Sequence, residues 1–162
     1  MGAVNEPLRV RGGMNSRIRV LLLTDEMEVG GTQRQIVHIA GGLNTRRFEP
    51  TVAFFRNRSP LVDELIASGV PVTEVPKRRG VDVGFVVRLV RLLRDGQFDV
   101  MHCFAFSGEL WGSIGRICLP ERLRPALITS VRGVYDWYSP SQWRVKRWVS
   151  HQSHRVIANS KA

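Results

Sequence analysis

Apolar residues along this chain fall into two alternating rhythms from Ile18 onward. Short unbroken runs are followed by stripes at helical spacing. The runs Ile18–Thr24, Thr51–Phe55, Val70–Val75, Asp99–Cys103, Ala126–Val131 and Arg155–Ser160 are short and rich in β-branched residues, as strands buried on both faces require. Between them lie helical stripes. Thr32 is read as the cap of a helix to about Leu43, and Ser59-Pro60 as the opening of one carrying Leu61, Leu65 and Ile66. Asp82 caps a third, Val83–Arg94, with Val86, Leu89, Val90 and Leu93 inward, Arg88, Arg91 and Arg94 outward, and Gly96 as its stop. Ser107–Cys118 and Ser141–Ser153 complete the series, the last carrying Trp143, Val145, Trp148 and Val149. Strand–helix alternation of this kind predicts an α/β fold, a doubly wound parallel sheet in three layers. Its functional edge lies at the carboxyl ends of the strands. Met1–Arg17 is polar and aperiodic and is expected to be a flexible tail, leaving residues 18–162 as one domain.

Composition narrows the class of protein. Of 162 residues 43% are hydrophobic and 23% charged, the proportions of a soluble globular domain. No apolar run approaches the length of a spanning helix, and the first seventeen residues hold no signal-peptide core, so the cytoplasm is the expected compartment. Cys103 and Cys118 are too few for a disulfide framework and are read as reduced, buried residues. Lysine and arginine number 24 against 14 acidic residues, a net charge of +10 carried almost wholly by arginine. Such basicity points to phosphorylated substrates, an anionic membrane face or nucleic acid.

The loop Asp25–Arg34 concentrates the candidate chemistry. Its paired glycines, Gly30 and Gly31, permit close backbone approach, and the helix start that follows presents N–H groups to an anion. The alternative is a turn that needs glycine for geometry alone. Neither the Gly-x-Gly-x-x-Gly dinucleotide fingerprint nor a phosphate-binding P-loop stands here.

Four segments in order carry a resemblance. Val29-Gly30-Gly31-Thr32-Gln33-Arg34-Gln35-Ile36-Val37 resembles the opening motif of family 4 glycosyltransferases. Phe98-Asp99-Val100-Met101-His102 and Leu127-Ile128-Thr129-Ser130-Val131-Arg132-Gly133 are similar to two of that family's strand ends, and Arg155-Val156-Ile157-Ala158-Asn159-Ser160 to the strand closing its first domain. The resemblance implies the N-terminal, acceptor-side, Rossmann-like half of a GT-B enzyme. It implies a retaining hexosyltransferase that uses a nucleotide-sugar as co-substrate, with no other cofactor and no metal. The acceptor would be a polysaccharide, a lipid-linked sugar or another cell-envelope molecule. The C-terminal donor-binding domain, with its paired glutamates, is not in this sequence, so the chain alone is expected to be inactive.

By the same resemblance Gly30, Gly31, Thr32, Gln33, His102, Gly133, Asn159 and Ser160 are expected donor-phosphate or acceptor contacts, and Glu109 joins them by its place at a helix start on the functional edge. Arg132, standing where the family usually has histidine, is the catalytic candidate. It cannot act as a base near neutrality but can clamp a phosphate. Phe104 replaces a second family histidine. Two residues keep alternatives: His102 is a packed strand-end histidine or a substrate contact, and Glu109 a helix first-turn carboxylate or an acceptor ligand. The aromatic loop Val134-Tyr135-Asp136-Trp137-Tyr138 suits a sugar ring, a lipid-linked acceptor or packing against another domain. Lys77-Arg78-Arg79 could meet phosphate or water. Trp143, Arg144, Lys146 and Arg147 suit an anionic membrane and a peripheral location on its inner face. The competing arrangement places the tryptophans in the core and the cations in water. A basic module binding membrane or nucleic acid without catalysis is the alternative function, but it needs none of the ordered motifs, and nucleic acid is not the expected partner. An epimerase-like domain would need a donor site that the chain lacks.

Overall fold

The computed structural model describes residues 16–78, 82–131 and 138–158. Six strands, β1 (Ile18–Leu23), β2 (Phe48–Phe54), β3 (Val72–Glu74), β4 (Val100–Cys103), β5 (Ala126–Val131) and β6 (Arg155–Ala158), form one sheet in the order β3-β2-β1-β4-β5-β6. Every neighbouring pair is parallel. The helices between them are α1 (Gly31–Gly42), α2 (Pro60–Ala67), α3 (Val83–Gly96), α4 (Ala105–Ile117) and α5 (Pro140–Gln152). This is the Rossmann-like doubly wound fold expected from the alternation.

Alternation along β1 divides the core in two. Val20 and Leu22 point to one face with Val52, Phe54 and Val100, where Ile36 and Val37 of α1 and Leu61, Val62 and Leu65 of α2 cover them. Leu21 and Leu23 point to the other with Phe55, Met101, Cys103 and Leu127, under Phe85, Leu89 and Leu93 of α3. Helix α5 packs on α4. β6 is the edge, and Val156 and Ile157 remain 47% and 43% exposed.

Several boundaries shift for local reasons. β2 begins three residues earlier than expected and includes Pro50, which has no N–H to donate. Pairing with β3 starts only at Val52, so Pro50 lies where β2 is still an edge and no donor is needed. α1 starts at Gly31 with Gly30 as its cap, so Thr32 lies inside the first turn. Ser59 and Asp82 cap α2 and α3 as expected, accepting from Leu61 N at 3.3 Å and Phe85 N at 2.8 Å. The inward face of α3 centres on Phe85, which the spacing argument passed over. α3 does end at Gly96, but the left-handed position falls one residue later, on Gln97 at φ 45°. Gly96 is needed because a Cβ there would lie 2.1 Å from the Phe98 ring. Ser139 and Gln142 form a capping box that opens α5 one residue early. Cys103 is buried, but Cys118 is exposed, contrary to expectation, because α4 has ended and faces solvent there.

Close approach of α4 to the sheet depends on small residues on one side of the helix. A Cβ on Gly112 would lie 2.5 Å from Cys103 Sγ and 3.0 Å from Leu23 Cδ2, both in the core. Gly112→Ala is therefore expected to destabilise the domain by about 1–3 kcal/mol in chemical denaturation. Gly41→Ala, on the exposed side of α1 with nothing within 4 Å of the new methyl, should be neutral or stabilise by up to about 1 kcal/mol. Equal responses from the two variants would contradict this packing.

Candidate functional site

The sheet order reverses between β1 and β4. α1 leaves on one face and α4 on the other, so the loops after these strands diverge and open a crevice. The β1 loop is tied to β2 by Phe55 N donating to Asp25 O at 3.1 Å, by Met27 N donating to Asn57 O at 3.3 Å, and by the buried Met27 side chain. Ser59 Oγ donates to Met27 O. On the α4 side, Gly108 lets the helix touch the end of β1, since a Cβ there would lie 3.2 Å from Leu23 O and from Thr24 Cα. Ala105, the first residue of α4, holds a left-handed φ of 58°, a strained conformation for a residue with a Cβ, directly after β4.

The two loop glycines have different tasks. Gly30 is extended, and a Cβ there would lie 2.7 Å from Gln33 Oε1. Gln33 is mostly buried and donates back to Glu26 O at 3.4 Å, so it braces the loop and offers little to a ligand. Gly31 faces open space, with nothing within 4 Å of where a Cβ would stand. No side chain caps α1, so the first N–H groups of the helix are left for an anion beside Gly31 and Thr32.

His102 is the packed histidine of the two readings. It is 7% exposed, shares a 2.6 Å hydrogen bond with Ser130 Oγ, and has its ring centroid 4.1 Å from that of Phe104. Glu109 is neither a first-turn residue nor open to an acceptor. α4 begins two residues earlier than expected, and Glu109 lies in the second turn, 1% exposed. Lys146 Nζ donates to its Oε2. Burial pushes the Glu109 carboxyl up, and Lys146 and the Ser130 N–H pull it back. Its Oε1 meets no donor of full hydrogen-bonding geometry among the described residues.

Lys146 therefore leaves the proposed membrane surface, because it and Val149 form the inward face of α5. The tryptophans-inside arrangement holds only in part, since Trp148 is half-buried but Trp143 is not. Trp143 is 48% exposed and stands beside Tyr138, with centroids 5.7 Å apart, while Arg144 and Arg147 are exposed around it. In the basic cluster, Lys77 Nζ lies 5.2 Å from the Trp111 ring centroid and donates to Arg78 O at 3.1 Å. The tail residues 1–15, Arg79, Arg132, Gly133, the loop residues 134–137, Asn159 and Ser160 lie outside the described residues. Among the described residues no three His, Cys, Asp or Glu side chains converge as a metal site would need. No helix of the described residues is long and apolar enough to cross a membrane. A cavity of about 240 Å³ is lined mainly by apolar side chains, among them Ile18, Val20, Ile39, Leu43 and Phe48, and His102 forms part of its wall.

Spacing arguments missed Asp25 as a candidate, although its place after a buried strand signals it. Its carboxyl is raised by burial first and by Glu26 second, against the Arg56 guanidinium at 3.6 Å. The folded state thus holds this proton more tightly than the unfolded chain. The group favours folding most at low pH, and that contribution is lost as pH rises from the ordinary aspartate range through the raised value. Asp25→Asn is expected to raise the melting temperature at neutral pH and to leave it unchanged below the ordinary carboxylate range. A lower melting temperature for the variant at neutral pH would contradict this account.

Comparison with known proteins agrees with this geometry. The model of Glycosyltransferase Family 4 matches residues 29–162. No curated protein matches the chain. Among solved structures, Anabaena Alr3699/HepE in complex with UDP aligns with a TM-score of 0.72 at 18% identity, over 88% of this chain and 38% of that one. Its complex with UDP and glucose gives 0.70 at 17% identity, over 89% and 38%. A glycosyltransferase from Rickettsia africae ESF-5 gives 0.67 at 16% identity, over 89% and 37%. The chain therefore spans well under half the length of these structural neighbours. With a family model covering most of its residues and the fold to match, the chain belongs to glycosyltransferase family 4.

Proposed function

We propose that this domain is the acceptor-side half of a retaining hexosyltransferase, which takes its sugar from a nucleotide donor held mainly by a second domain. The observation that carries the reading is the crevice at the β1/β4 reversal, with Gly31 facing open space at the uncapped start of α1. Helix N–H groups there suit the diphosphate of a departing nucleotide, whose growing charge must be met as the glycosidic bond breaks. UDP and glucose bound to the Anabaena neighbour make UDP-glucose the first donor to test. A cell-envelope acceptor, polysaccharide or lipid-linked, fits the exposed Trp143, Arg144 and Arg147, which suit an anionic bilayer at the inner membrane face. Catalysis would then occur in the cytoplasm, with Arg132 as a clamp for phosphate charge rather than a base.

The test is transfer of labelled glucose from UDP-glucose to an envelope lipid extract. The chain alone is expected to transfer nothing measurable. Joined to the donor-binding domain of a family member it should transfer, and Gly31→Leu in that protein should lower the rate on the order of tenfold without changing the melting temperature. Robust turnover by the isolated chain would overturn the half-enzyme reading. Failure of the joined protein, together with steeply salt-dependent binding to polyanions, would favour the non-catalytic basic module.

A further inference from the structure

Two elements flank the stretch between β5 and α5. The strand ends at Val131, and described chain resumes at Tyr138, just before the Ser139 cap of α5. Apolar packing holds α5 through Val149, with Val145 and Trp148 half-buried beside it. Of the residues of α5 only Lys146 and Val149 are fully buried, and apolar contacts alone have no preferred direction that would fix a helix against sliding or rolling. Directional contacts must fix its register.

Those contacts come from α4 in pairs one turn apart. Phe106 meets Tyr138 with ring centroids 5.4 Å apart, and Tyr138 in turn meets Trp143. One turn further along each helix, Glu109 accepts from Lys146. The same carboxylate faces the Ser130 N–H, one residue before the end of β5, and Ser130 is bonded through its hydroxyl to His102 on β4. Glu109 thus stands between the two stems, facing the Ser130 main-chain N–H of β5 and accepting from the Lys146 side chain of α5. At 1% exposure it has no route to a substrate, so any influence on the reaction passes through what it holds.

We propose that Glu109 is a positioning residue for the acceptor side. Its buried carboxylate, bracketing the Ser130 N–H and the Lys146 ammonium, sets the distance between the end of β5 and α5 against which the acceptor is seated. This rests on the acceptor-side reading given above. A pair that served stability alone would be replaceable by apolar side chains, since removing both charges leaves no uncompensated ion. A bracket would not be replaceable, because dispersion contacts have no preferred direction.

The variants are Glu109→Gln, Lys146→Met, the double variant and Lys146→Arg. Hydrogen exchange on the chain itself is read first. The double variant, which keeps no buried charge and preserves the test where a single variant fails to fold, is expected to exchange at least about tenfold faster across residues 138–152 while α1 to α3 keep their wild-type protection. Lys146→Arg, which can still reach the carboxylate, should restore slow exchange. In the two-domain protein the double variant should raise acceptor KM about tenfold with kcat within about twofold. Wild-type exchange across α5 in the double variant would overturn the bracket, and faster exchange with unchanged acceptor KM would overturn its link to the acceptor. Absence of transfer by the unmutated two-domain protein would instead count against the transferase reading, and the exchange result would stand apart from it.

Discussion

The structure depends on β1 being buried on both faces. Leu21, Leu22 and Leu23 are at most 1% exposed, and neither neighbouring strand could supply that cover. Helices must therefore lie above and below the strand. Here right-handed crossovers meet this demand by winding outward twice from the centre, once through β2 and β3 and once through β4 to β6. The crevice is the by-product: where the two windings part, no helix crosses the end of the sheet.

Beneath that crevice runs a line of polar groups which the hydrophobic layers do not explain. His102, Ser130, Glu109 and Lys146 connect β4, β5, α4 and α5 across the carboxyl edge. Burying a charge among Cys103, Gly112 and Ser113 is unfavourable, and the high pKa of the Cys103 thiol reflects both its burial and the nearby Glu109 carboxylate. Such a network is directional, whereas the leucines elsewhere can exchange one apolar shape for another. The floor of the crevice is thus tied together by directional contacts as well as by apolar packing.

Much of the fold was legible from the residues. Runs such as Ile18–Thr24 and Ala126–Val131 announce strands because two-sided burial leaves no polar alternation, and Ser59-Pro60 and Asp82 announce helix starts through their own donors and acceptors. The site was legible in part. The open position of Gly31 and the anion-ready start of α1 follow from the Gly-Gly pair, but the turning of Gln33 back onto Glu26 O does not. A glutamine at a helix start reads the same whether it faces a ligand or the loop behind it.

Sequence by itself determined the βα order, the six strands and the place of the crevice, because periodicity and capping act over a few residues. Only the tertiary structure decided that Lys146 points inward while Trp143 stays in solvent, reversing what an amphipathic pattern suggests. The reason is that the partner of Lys146 is Glu109, 37 residues away on another helix. Helical spacing can place a lysine on a face; it cannot say that a carboxylate is waiting there.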